Sequence, residues 1–186
     1  MYYSKICHLC YIHSRNFIHH DLKPSNIIMG AGKHADIVYI INYSLSKEFR
    51  HPDTYLHIPY NGAQSFVGTA TFASIHSHLG FELGRCDDLE SLAYILIYFL
   101  HGSLPWQGLE FEICDLVLES KRTTSAHSLC QGLPMQLHIF LEYSCSLTFN
   151  DKPDYDYLYN LFNAPLLWEK IRNDLVFDWD DSNNRV

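Results

Sequence analysis

The stretch His19-His20-Asp21-Leu22-Lys23-Pro24-Ser25-Asn26 places an acid two residues before a lysine and five before an asparagine. That spacing has a chemical reading. An aspartate can accept the proton of a hydroxyl nucleophile. A lysine beside it can neutralise charge developing on a transferred phosphoryl group. An asparagine carbonyl can hold a metal ion that bridges phosphates. Asp21 and Lys23 are therefore the candidate catalytic residues, and Asn26 is a candidate metal and cofactor ligand.

Working outward, residues 1–14 read as the end of an amphipathic helix, because Ile6, Leu9, Cys10 and His13 recur at three- and four-residue steps. Downstream, residues 27–29 form a short apolar strand. Residues 36–41, rich in β-branched side chains, form a second, and the two are expected to pair as a hairpin. Gly30-Ala31-Gly32-Lys33 between them is a turn. A phosphate loop would need a glycine five residues before Gly32, and that position is Ile27. Asn42-Tyr43-Ser44 follows the hairpin. It is formally a glycosylation sequon, but a chain without a signal peptide would not meet that machinery.

Residues 45–86 read as one long polar loop with little periodicity, a length that marks function in a compact domain. His76 and His78 within it are expected on the surface. The strongest helix covers residues 88–100, with Asp87 and Glu90 at capping-box spacing, Gly102 as its stop and Pro105 beyond. Its body, Leu92 to Leu100, is apolar all round yet too short to span a bilayer, so it is expected to be a buried central helix. Further helices are expected over residues 111–120, 134–146 and 153–162, before an acidic, aromatic tail over 174–181.

At 186 residues and 47% hydrophobic content the chain can build one sizeable core. A net charge of −8 and a pI near 5.8 argue against nucleic acid or an anionic membrane as the main partner. No run of about eighteen apolar residues offers a membrane span, and Met1-Tyr2-Tyr3-Ser4-Lys5 is not a signal peptide. Of six cysteines only Cys7 and Cys10 form a C-x-x-C, with no second pair at zinc spacing, so the thiols are expected reduced in a cytoplasmic or nuclear protein.

The opening stretch resembles the catalytic loop of protein kinases, H-R-D-x-K-P-x-N. Other residues narrow the resemblance to the casein kinase 1 family. They are His57-Ile58-Pro59-Tyr60, Gly68-Thr69-Ala70, Asp87-Asp88-Leu89-Glu90-Ser91-Leu92, Gly102-Ser103-Leu104-Pro105-Trp106-Gln107-Gly108-Leu109 and Lys152-Pro153-Asp154-Tyr155. The resemblance implies a mainly helical α+β fold, a kinase large lobe with short β-hairpins over residues 1–179, followed by a polar tail over 180–186. The family's small lobe, with its glycine-rich loop and strand lysine, has no counterpart here.

Carried over residue by residue, the resemblance makes Asp21 the catalytic base and Lys23 the contact to the transferred phosphate. Asn26 and Asn42 stand at the metal- and nucleotide-binding positions, with ATP and Mg²⁺ as the implied cofactors. Asn42 replaces the aspartate that holds the metal, and a neutral amide oxygen is a weaker ligand for a hard cation than a carboxylate. Losing one such group costs about 10²–10³ in rate. The family's anion-binding arginines are His20 and Thr71 here, and its lysine-rich run after Trp106 is replaced by Glu110 to Asp115. The resemblance thus implies a protein serine/threonine kinase fragment of impaired catalysis. A pseudokinase scaffold and a truncated product without a settled role are the alternatives. A protein substrate or partner is expected. So is weak or absent ATP–Mg²⁺ binding, with self-association, partner binding or marginal stability arising from an uncovered apolar face near Ile27, Ile28, Val38 and Ile40.

Overall fold

The computed structural model describes residues 2–35, 37–109 and 114–163. Along the chain run α1 (Tyr2–Ser14), β1 (Phe17–Ile18), β2 (Ile27–Met29), β3 (Val38–Ile40), β4 (Lys47–Glu48), α2 (Ile75–His78) and α3 (Arg85–His101). Then come α4 (Cys114–Thr123), α5 (Ala126–Leu129), α6 (Met135–Ser146) and α7 (Tyr155–Asn163). The architecture is mainly helical with two small antiparallel sheets, β1–β4 and β2–β3. Short 3-10 turns lie over Pro24–Asn26 and Gly32–His34.

Burial of α3 organises the rest. Every side chain from Arg85 to Ile97 is buried, and Leu89, Leu92, Ile95 and Leu96 pack with Ile6 and Leu9 of α1, Phe140 of α6, Leu158 and Phe162 of α7, and Trp106. Each fully buried leucine or phenylalanine contributes roughly 1.5–3 kcal/mol, so the apolar run that marked this helix in the sequence is also the main source of its stability. Gly102 ends α3 in the left-handed conformation at φ 80°, its N–H donating to the Tyr98 carbonyl. Phe99 and Leu100 of the last turn are exposed, which the all-round apolar pattern did not distinguish.

The start of α3 differs from the sequence reading. The helix begins at Arg85, three residues earlier, with Gly84 as its N-cap. Asp87 sits inside the first turn, its Oδ2 accepting from the Gly84 N–H at 2.7 Å. Glu90 caps nothing in α3. Its Oε1 accepts from the Ile75 N–H at 2.9 Å and the Tyr94 hydroxyl at 2.8 Å, tying α2 to α3.

Residues 45–86 are not one loop. β4 pairs with β1, Phe17 opposite Glu48 and Ile18 opposite Lys47, and α2 is capped by Ser74. Both elements are too short for a periodic signal. His76 and His78 lie on α2 and are half-buried rather than on the surface, because each finds a buried partner. His76 Nδ1 lies 3.0 Å from Asp87 Oδ1. His78 Nε2 donates to the Ala70 carbonyl at 3.1 Å.

The β2–β3 hairpin is antiparallel as expected, with Ile27 opposite Ile40, Ile28 opposite Tyr39 and Met29 opposite Val38. Its alternation corrects the expected apolar face. Val38 and Ile40 point into the core, whereas Ile28, Tyr39 and Ile41 are exposed. Residues 110–113, where the expected helix over 111–120 starts, and the tail over 174–181 lie outside the described residues. α4 begins at Cys114.

Candidate active site

Asp88, the second acid of the Asp87-Asp88 pair, builds the loop that carries Asp21. Its Oδ2 accepts from the His19 N–H at 2.7 Å, and its Oδ1 from the His20 N–H at 3.0 Å. His13 of α1 approaches the same carboxylate through Nε2 at 2.9 Å. Burial opposes ionisation of Asp88. The hydrogen bond and charge of His13, with the His19 N–H, outweigh it and hold the carboxyl below its usual range. One buried carboxylate on α3 thus anchors two consecutive backbone amides. His20 adopts φ 70° between them. Its carbonyl lies so close to Gly68 that a Cβ there would sit 2.7 Å from the oxygen, which explains a glycine at that point of the loop. His19 is fully buried, its Nδ1 accepting from the Asp21 N–H at 3.3 Å and its Nε2 donating to the Ile41 carbonyl at 3.0 Å.

The sequence-predicted residues Asp21, Lys23, Asn26 and Asn42 come together. Asp21 is 6% exposed and Asn26 4%. Lys23 Nζ pairs with Asp21 Oδ2 at 2.8 Å and donates to Thr69 Oγ1 at 3.0 Å, while the Thr69 hydroxyl donates to Asp21 Oδ1 at 2.8 Å. Asn26 Nδ2 donates to the Asp21 carbonyl at 2.7 Å and to its Oδ2 at 3.3 Å. Lys23 and Thr69 open onto a cavity of about 480 Å³ bordered by Phe72 and Tyr98. A hydroxyl presented from that cavity would meet Lys23 and Thr69, with Asp21 behind them, its two carboxylate oxygens engaged by Lys23, Asn26 and Thr69.

The other half of the cluster pairs buried Asn26 with exposed Asn42. Asn42, at φ 66°, donates from Nδ2 to Asn26 Oδ1 at 3.3 Å, and its own Oδ1 accepts from the Ser44 hydroxyl at 2.8 Å. An N–H thus faces the oxygen that would ligate a cation. Rotating the Asn42 amide would offer only a second neutral oxygen, and both Asp21 oxygens already have donors. Mg²⁺ takes oxygen ligands with near-octahedral geometry and usually one or two carboxylates. Asn26 and Asn42 do not fit that requirement.

His20, at the position where the resemblance places an arginine, sits in a buried setting that favours the neutral imidazole. Burial lowers its pKa, and its Nε2 is buried without a hydrogen-bond partner among the described residues. Thr71 is buried too, its carbonyl accepting from the Trp106 indole at 2.8 Å.

Thr69, Ser44 and Asp88 also belong to the cluster, and no local signal marks them for it: Thr69 stands within Gly68-Thr69-Ala70 and Asp88 within the helix motif. Nothing in local spacing shows that either reaches residues tens of positions away.

Among the described residues no helix is long and apolar enough to cross a membrane. A family model for the protein kinase domain matches residues 2–146, the span that contains α1, the Asp21 loop, the hairpin and α3, and by that match the chain belongs to the protein kinase domain family.

Proposed function

We propose that this chain is a casein kinase 1-like serine/threonine kinase large lobe, residues 1–179 with a polar tail over 180–186, whose phosphoryl transfer is impaired. Protein kinases use ATP and Mg²⁺ and act on protein substrates. In the proposed roles Asp21 is the base for an acceptor hydroxyl, Lys23 its charge partner, and Asn26 and Asn42 the remnants of a cation site. The observation that carries the reading is the Asn42 N–H donating to Asn26 Oδ1. It leaves the acceptor half of the site organised and the cation half without a carboxylate. ATP–Mg²⁺ binding is then weak or absent.

The organised acceptor half supports a second reading, a pseudokinase module that binds a protein segment in the cavity beside Lys23 and Thr69 without modifying it. A cytoplasmic or nuclear address belongs to both readings. Self-association is a further part of the proposal, supported by exposed Ile28, Tyr39 and Ile41 on the outer face of the hairpin.

The test is transfer of labelled phosphate from ATP–Mg²⁺ to casein by the purified chain. The reading expects no transfer above that of the Asp21→Asn variant. Robust transfer that Asp21→Asn abolishes would reject impairment and leave the kinase assignment standing.

A further inference from the structure

A cavity of about 650 Å³ lies where the end of α1, the chain after β4 and the start of α7 meet, and it does not include the Asp21 cluster. Arg50, Arg85 and Lys152 line it, with Asp154 and Asp156 as the acids on its wall. None of the three cations forms an ion pair among the described residues. Arg85 is 7% exposed, and its Nε is buried without an acceptor. Its Nη2 donates to the Asn150 carbonyl at 2.9 Å, and Arg50 Nε donates to Asn16 Oδ1 at 2.6 Å.

Both guanidinium groups lie against the buried Phe49 ring, Arg85 Cζ at 4.5 Å and Arg50 Cζ at 5.2 Å from its centroid. Burial first, and then the Arg50 charge, lower the Arg85 pKa, partly offset by Tyr155, Cys86 and Asp151. Two cations thus share one ring with no counter-charge paired to either. Coulomb repulsion disfavours that arrangement unless an anion joins it. Asp151 acts on Arg85 without forming an ion pair with it, and the two acids on the cavity wall are not paired to either guanidinium. Asp154 accepts the Tyr157 N–H through Oδ1 at 2.8 Å, capping α7, and Asp156 is exposed.

We propose that this cavity binds a phosphorylated side chain of a peptide, with Arg50 and Arg85 holding the phosphate oxygens and Lys152 contributing from the rim. The planar, multi-donor guanidinium suits phosphate bidentately. The volume takes a side chain together with its phosphate rather than a bare ion. The site is separate from the positions of His20 and Thr71, where the family resemblance places its anion-binding arginines, and it does not depend on residual phosphoryl transfer.

The test titrates the full chain with a phosphoserine peptide, its unphosphorylated counterpart and the same peptide with glutamate at that position, read by calorimetry. Saturable binding of the phosphopeptide alone is expected. It should be weakened about tenfold or more in Arg50→Gln, the size of one charge-assisted hydrogen bond, and weakened in Lys152→Gln, whose exposed position spares the fold. Lys23→Gln should leave it unchanged. No saturable binding would overturn the proposal, as would equal binding of the glutamate peptide or a loss in Lys23→Gln that matches the loss in Arg50→Gln. Equal binding of the glutamate peptide would assign the cavity to carboxylates instead, such as those of the chain's own acidic segment over 174–181.

Discussion

The Asn42 N–H donates to Asn26 Oδ1, the oxygen that under the proposed function a divalent cation would need. An amide at position 42 carries no charge and offers a donor to that neighbouring oxygen. The Asn42→Asp variant should therefore gain affinity for Mn²⁺, a spectroscopic substitute for Mg²⁺, because a carboxylate is the better ligand for a hard cation. Electron paramagnetic resonance of free Mn²⁺ reads this directly. Equal Mn²⁺ binding by wild type and variant would show that the amide is not what disables the cluster. Residue identity at position 42 was legible in the sequence from its place after the second strand. The hydrogen bonds to Asn26 and Ser44 were not, because the rotation of an amide is decided by neighbours brought in by folding.

At the level of elements, two acids of α3 hold the α2–α3 junction, Asp87 facing His76 and Glu90 accepting from the Ile75 N–H, while Asp88 faces α1 and the Asp21 loop. Asp87→Ala removes the acceptor of the Gly84 N–H and the partner of His76. It should cost about 1–3 kcal/mol, the range for a lost cap plus an unpaired buried donor, measured as a lower urea midpoint.

The two histidines of α2 titrate oppositely. The hydrogen bond to Asp87 raises the His76 pKa, so its contribution is full below the unfolded value near 6.5 and fades as pH rises through the folded value. Burial, then the Lys121 charge, lowers His78 to about 4. The unfolded chain therefore takes up a proton that the folded chain resists, and stability falls as pH drops from about 6.5 towards 4. Urea midpoints measured from about pH 4 to about pH 8 should show a shallower acid-side decline in His78→Gln, with His20 and Asp88 still contributing to it, and a shallower alkaline-side decline in His76→Gln. Unchanged profiles in both variants would contradict these pairings. The sequence showed α1, α3, α6, α7 and the hairpin because each is long or alternating enough to display a period. It hid β4, α2 and α5, whose two to four residues take their form from tertiary partners.

For the whole molecule, α3 gathers the core, and the outer face of the hairpin keeps Ile28 43% exposed beside Tyr39 and Ile41. Sedimentation at micromolar concentration should show association that the double variant Ile28→Lys, Tyr39→Lys diminishes. A wild-type monomer at all concentrations would remove the hairpin face from the account. The sequence placed this face on the right element but assigned Val38 and Ile40 to it, since alternation fixes which residues share a side and not which side meets the core. Under the proposed function the Asp21 loop keeps its fold while its cation half does not support nucleotide chemistry. Calorimetric titration of the wild-type chain with ATP in the presence and absence of Mg²⁺ decides this. No saturable Mg²⁺-dependent binding in the micromolar range is expected, and micromolar affinity that requires Mg²⁺ and disappears in Asn26→Ala would overturn it.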